Sequence, residues 1–369
     1  MHQKHPKIKR PRLGKFAKTE FAFVGSTCER MEADMQSLQE QLSHAYRSAI
    51  ITVDHGDTTH QPSRQVGRKQ LFPNVDSWNE YDDKLIGSAY DLVLVNGNHF
   101  PAQRQIVYVD PQKAGTLERR KDQLTDIVAI VLCPGATKLP AWLQDHLGDD
   151  YIPYFSADEA KTELFSIIEV AAQATEPMVK ALILAGGQST RMGSDKASLV
   201  YRNQQAEAER LADYCESLGL TTFFSLREPT ESYYGRPVVP DRFVGLGPMG
   251  AIASAFLSDP ESAWLVLACD LPLLEREHIQ LLLSYRDARQ YATAVKGASQ
   301  PFPEPLIAIY EPRAYARLLH FLSIGYACPR KLLINSDIAP VEFKNESPLT
   351  NANTPAERAA ALAQLAKHG

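Results

Sequence analysis

Two kinds of hydrophobic pattern alternate along the chain: short unbroken apolar runs, and longer stretches in which apolar residues return every three or four positions. The first run is Phe21-Ala22-Phe23-Val24-Gly25; a helical pattern through Met31, Met35, Leu38 and Leu42 follows, and a second strand is predicted over 49–53. The runs YDLVLVNG (90–97), RQIVYVD (104–110) and DIVAIVLC (126–133) have the Val and Ile content of parallel strands covered on both faces. A helix over 157–172 closes this series. The polar stretch 56–78, with Pro62 and Pro73 and little periodicity, reads as a long loop.

After the proline-bearing segment 173–178 the alternation starts afresh. VKALILAGG, TTFFSL, PVVPD, AWLVLACD and LIAIY read as strands, separated by helices near 205–218, 249–258, 275–288 and 312–322. The expected fold class is α/β, with two three-layer α/β domains spanning 20–174 and 178–369. Ahead of them, residues 1–19 carry Lys4, Lys7, Lys9, Arg10, Arg12, Lys15 and Lys18 and no acidic residue. This basic arm reads either as a solvated tail packed loosely on its own domain or as a contact for phosphate or RNA.

Composition narrows the choice. A net charge of -5 over 369 residues gives no global attraction to nucleic acid or to an anionic membrane surface. No apolar run approaches the roughly 18 residues needed to span a bilayer, and the N-terminus lacks the apolar segment of a secretory signal. Cys28, Cys133, Cys215, Cys269 and Cys328 are odd in number and far apart, so neither a disulfide framework nor a zinc site is expected. The compartment these features point to is the cytoplasm.

Candidate chemistry concentrates in 182–197, where a hydrophobic strand runs into a loop holding Gly186, Gly187, Gly193, Arg191 and Lys196. Glycines let backbone N–H groups approach phosphate oxygens, and two cations just beyond them neutralise a triphosphate. Neither the Walker pattern nor the G-x-G-x-x-G dinucleotide fingerprint is present. Asp270 ends the apolar run AWLVLACD, the edge at which open α/β sheets place ligands, and is a candidate Mg²⁺ ligand; the alternative is a cap for the next helix. Cys269 beside it reads as a small buried filler rather than a nucleophile.

The motif L-A-G-G-x-S-x-R-M-G-x-D-K resembles the opening of the molybdenum cofactor guanylyltransferases. Val239-Pro240-Asp241, Gly247-Pro248-Met249-Gly250, Ala268-Cys269-Asp270-Leu271-Pro272, Pro303-Glu304-Pro305-Leu306 and Asn351-Ala352-Asn353-Thr354-Pro355 extend the resemblance in order over about 180–369. It implies a Rossmann-like nucleotidyltransferase fold and transfer of GMP from GTP to a molybdopterin-type acceptor, with Mg²⁺ as cofactor and pyrophosphate as leaving group. Arg191, Lys196 and Asp270 then carry catalysis, while Leu184, Ala185, Gly186, Gly187, Lys196, Ser225, Asp241 and Asp270 bind the nucleotide. Asp270 and Asn353 are the implied metal contacts.

Some alternatives stay open: Asp241 also suits a turn after proline, and Asn353 also suits a helix N-cap. Ala185-Gly186-Gly187 resembles the guanylyl branch rather than the cytidylyl one, although Asn203-Gln204-Gln205 replaces the usual Gly-Lys-Pro and Ser225 replaces an asparagine found in some members. A cytidylyl or sugar-phosphate nucleotidyltransferase, and a non-catalytic cofactor-binding adaptor, are the competing functions.

The first domain resembles the P-loop GTP-binding adaptor of molybdopterin-guanine dinucleotide biosynthesis. Counting from Gly25, however, the motif's second glycine, lysine and hydroxyl residue are Arg30, Met31 and Glu32. A carboxylate in the phosphate cradle opposes nucleotide binding, so the domain reads as a degenerate P-loop NTPase-like scaffold. A molybdoenzyme client and a second copy of the chain are its candidate partners.

Overall fold

The computed structural model describes residues 8–53, 79–186, 198–202 and 204–366, together with the backbone of 64–66 and 69–71. The chain separates into two compact units, one of residues 12–176 and one of 177–369 joined by the N-terminal residues up to Pro11.

In the first unit the strands are β1 (Thr19–Val24), β2 (Ser48–Ile51), β3 (Arg64–Val66), β4 (Lys69–Leu71), β5 (Leu92–Asn96), β6 (Arg104–Val109), β7 (Ile127–Leu132) and β8 (Tyr154–Ser156). Six of them form a parallel sheet in the order β2-β5-β1-β6-β7-β8. Alternate residues serve opposite faces. Phe21, Phe23, Leu92, Leu94, Ile106 and Tyr108 pack on helices Cys28–Leu42 and Ala160–Gln173, whereas Val107, Val109 and Ile130 face Leu117 and Leu143.

Two expectations change here. The stretch read as a long loop contains an antiparallel pair, β3 with β4. Nor is the basic arm a solvated tail throughout: Phe16 and Ala17 are buried beside Ala22, Val93 and Val95, and Thr19 already belongs to β1.

The second unit holds β9 (Val179–Leu184), β10 (Val200–Arg202), β11 (Gln205–Ala206), β12 (Thr221–Leu226), β13 (Ser232–Tyr233), β14 (Arg236–Pro240), β15 (Ala263–Ala268), β16 (Ala292–Lys296), β17 (Ile307–Tyr310) and β18 (Ile338–Glu342). Its main sheet has the order β13-β14-β12-β9-β15-β17-β16-β18, with β14, β12, β9 and β15 mutually parallel and β17 antiparallel to both its neighbours. Ala181, Ile183, Leu265 and Leu267 pack against helices Glu207–Ser217 and Arg276–Ser284. On the other face Leu182, Trp264 and Val266 meet helices Gly247–Ser258 and Arg313–Ser323. Both units are therefore three-layered α/β.

The chain order positions a ligand. From β9 the chain moves outward to β12 and β14, then returns to place β15 on the opposite side of β9. The carboxyl ends of β9 and β15 thus lie side by side where the strand order reverses, the place at which open α/β sheets bind ligands.

Candidate functional site

Register sets the site's floor. Leu184 is level with Ser225 on one side and Ala268 on the other, and Ser225 is level with Val239. The residues that follow these four positions, Ala185-Gly186, Leu226-Arg227, Pro240-Asp241 and Cys269-Asp270, thus emerge along one edge. Backbone hydrogen bonds extend the alignment past the strands: Ala185 N–H donates to Ser225 O at 3.1 Å, and Asp241 N–H to Leu226 O at 2.9 Å. A Cβ on Gly186 would lie 3.0 Å from Arg227 N and 3.2 Å from Leu226 Cα, so the chain runs too close to its neighbour for a side chain to enter freely.

Asp241 is held from two sides. Ser225 Oγ donates to its Oδ1 at 3.1 Å. Burial raises its carboxyl above the usual aspartate range, while the Ser225 hydrogen bond and the charge of Arg227 oppose the rise. The turn beyond it is pinned by Ser254 Oγ, which accepts from Arg242 N–H at 2.8 Å and donates to Gly250 O at 2.7 Å. Gly250 has no room for a side chain, since a Cβ there would stand 2.2 Å from Phe243 O.

Asp270 follows β15, and the segment behind it is anchored by a charged network that the sequence patterns gave no sign of. Arg210 pairs with Glu207, both almost fully buried, and donates Nη1 to Leu274 O at 2.9 Å. Arg202 reaches Glu275 at 2.6 Å and Pro272 O at 2.5 Å, and Tyr214 Oη donates to Glu275 at 2.9 Å. Burial pushes the Glu207 carboxyl up and Arg210 opposes it, a pairing that keeps the charges from being stranded in the core. Two carbonyls of the 271–274 segment are thus gripped by guanidinium groups, which fixes the direction in which the chain leaves Asp270.

The capping reading of Asp270 does not hold, because Glu275 caps helix Arg276–Ser284. Asn353 is not a cap either: Thr354 caps helix Pro355–Leu365, with Glu357 completing the capping box. What places Asn353 beside Asp270 is the backbone, since Ala352 N–H donates to Asp270 O at 2.9 Å. Asn353 N–H itself donates to Glu357 Oε2 at 2.7 Å. Cys269 is buried and forms no disulfide, as a filler residue would be.

The structure therefore brings Leu184, Ala185, Gly186, Ser225, Asp241, Asp270 and Asn353 to one edge. Gly187, Arg191 and Lys196 lie outside the described residues. Among the described residues no group of three His, Cys, Asp or Glu side chains is arranged to hold a metal ion.

In the first unit, side chains after β1 engage the protein's own polar groups. Glu32 Oε1 accepts from Asn96 Nδ2 at 3.2 Å and from Thr52 Oγ1, and Ser26 Oγ donates to Asp110 at 2.6 Å.

Residues 181–337 match the MobA-like NTP transferase domain. The chain is 33% identical over 187 residues to the "Molybdenum cofactor biosynthesis bifunctional protein" of Synechocystis, covering 50% of this chain and 54% of that protein, so it spans about half the length of this relative. It is 31% identical over 183 residues to the "Probable molybdenum cofactor guanylyltransferase" of Carboxydothermus hydrogenoformans, covering 47% of this chain and 90% of the relative. Among solved structures, molybdopterin-guanine dinucleotide biosynthesis protein A from Archaeoglobus fulgidus aligns over 51% of this chain and 99% of its own, at 21% identity and a TM-score of 0.43.

Proposed function

The chain belongs to the molybdenum cofactor guanylyltransferase family through its MobA-like NTP transferase domain, and we propose on that premise that it transfers GMP from GTP to the phosphate of a molybdopterin-type acceptor. The observation that carries this reading is the alignment of Asp241, Gly186 and Asp270 along one edge, beyond the carboxyl ends of β14, β9 and β15. In the proposed reaction a phosphate oxygen of the acceptor attacks the α-phosphorus of GTP, the bond to the bridging oxygen breaks, and pyrophosphate leaves in line.

Each residue acts by alignment or by charge. Backbone groups of Leu184 to Gly187 approach the nucleotide where no side chain intervenes. Asp241, steadied by Ser225, accepts from the nucleoside, and Arg191 and Lys196 oppose the charge of the triphosphate. The donor set at Asp270 and Asn353 is hard oxygen, which fits magnesium held by one carboxylate and substrate phosphates rather than by a protein cage. When bound there, magnesium neutralises charge on the phosphates and the leaving pyrophosphate. None of the five cysteines is disulfide-bonded, which suits a reducing compartment, and the cytoplasm is part of this reading; among the described residues no helix is long and apolar enough to cross a membrane.

Asp270→Ala tests the assignment. The variant should fold normally, melt near the wild-type temperature and lose at least about 100-fold in pyrophosphate release. Near-normal turnover would remove Asp270 from the site.

A further inference from the structure

The Tyr201 hydroxyl is buried and has no hydrogen-bond partner among the described residues. Its side chain, 7% exposed, lies on β10 and packs with Leu199, Ala352 and Ala361, between the segment carrying Asn353 and helix Pro355–Leu365. The Arg358 guanidinium lies over the ring, 5.7 Å from its centroid, and donates Nη2 to Val200 O at 3.2 Å. Arg358 Nε is a second buried donor without an acceptor. Burial first, then the charges of Glu207 and Asp270, push Tyr201 up to about 12 against the pull of Arg358, so the group stays a neutral donor at physiological pH.

Buried polar groups in folded proteins nearly always find a partner. Tyr201 packs with Ala352, whose N–H is bonded to Asp270 O, and Arg358 lies over its ring, so these two orphan donors call for an acceptor that arrives from outside. We propose that Tyr201 is a substrate-contacting residue of the Asp270 site, its hydroxyl donating to a phosphate oxygen of the bound substrate while Arg358 braces the ring. This rests on the transfer reading given above. The phosphate belongs either to the nucleotide or to the acceptor, and binding measurements separate the two.

Tyr201→Phe in the full chain removes only the hydroxyl. Because that oxygen has no partner in the ligand-free protein, the variant should melt at the wild-type temperature or above. Its affinity for the phosphate-bearing ligand should fall about tenfold or more, the scale of a hydrogen bond to a charged group. A weakened Kd for GTP by calorimetry identifies the nucleotide phosphate; an unchanged Kd with a raised KM for molybdopterin identifies the acceptor's. Either result supports the inference. A lowered melting temperature with both constants unchanged would show an internal partner and overturn it, as would a variant indistinguishable from wild type. Wild-type protein that releases no pyrophosphate from GTP and acceptor would instead overturn the transfer reading.

Discussion

Burial raises the carboxyl of Asp241, while Ser225 and Arg227 work against the rise. The sign follows directly. A carboxyl whose folded value lies above its unfolded value adds stability while protonated and loses that contribution as pH climbs through the folded value. Asp241→Asn should therefore melt higher than wild type at neutral pH, with the difference closing below pH ~4, where the aspartate is neutral in both states. Function runs the other way. In the proposed role the anion is the acceptor, so kcat/KM for GTP should drop about tenfold in the variant, and the acid limb of its pH profile should flatten. Stability that falls along with activity would contradict a carboxylate kept charged for binding. Asp270 and Asp241 were both legible in the sequence because each ends an apolar run. Tyr201 and Arg358 were not, since an isolated tyrosine in a short hairpin and an arginine on a C-terminal helix carry no periodic signal; only their missing partners single them out.

At the level of elements, the long apolar runs became the central parallel strands, because a strand covered on both faces must be apolar throughout. Short strands escaped notice for the converse reason. The edge strand β18 reads Ile-Ala-Pro-Val-Glu, half exposed and carrying Pro340, which an edge tolerates and a central strand does not. The Glu207 to Arg210 pair hid in a helical pattern where charges suggest a solvated face, yet both are buried. Asp259, at the end of helix Gly247–Ser258, shows how one charge ties elements together. It accepts from Lys180 of β9 at 2.5 Å, from Ser262 at 2.7 Å and from Lys9 at 2.6 Å. Burial favours its neutral form, but these hydrogen bonds outweigh burial and hold the carboxyl far below the usual range. A depressed value contributes stability above the unfolded pKa of about 3.9 and loses it as pH falls toward the folded one. Asp259→Asn should accordingly cost about 1–3 kcal/mol at pH 7, with a smaller difference from wild type in acid. Melting curves at pH 7 and pH 3 check this; equal losses at both would show that the charge is not responsible.

For the whole molecule, reading the first unit as a degenerate P-loop scaffold predicts one nucleotide site rather than two. In that unit, the Glu32 carboxylate accepts hydrogen bonds from Asn96 and Thr52. Calorimetric titration of the full chain with GTP and Mg²⁺ should give one site per chain, and two sites would contradict the reading of the first unit as nucleotide-dead. The central claim concerns what the second unit makes, and it is tested by mass analysis of the products formed from molybdopterin with GTP and, separately, with CTP. A guanine-recognising site leaves its own polar groups unpaired when cytosine binds, a penalty that discriminates far more strongly than lost space. The account predicts a GMP adduct with pyrophosphate, and kcat/KM for GTP at least about 100-fold above that for CTP. A CMP adduct formed as fast or faster would contradict guanylyl transfer.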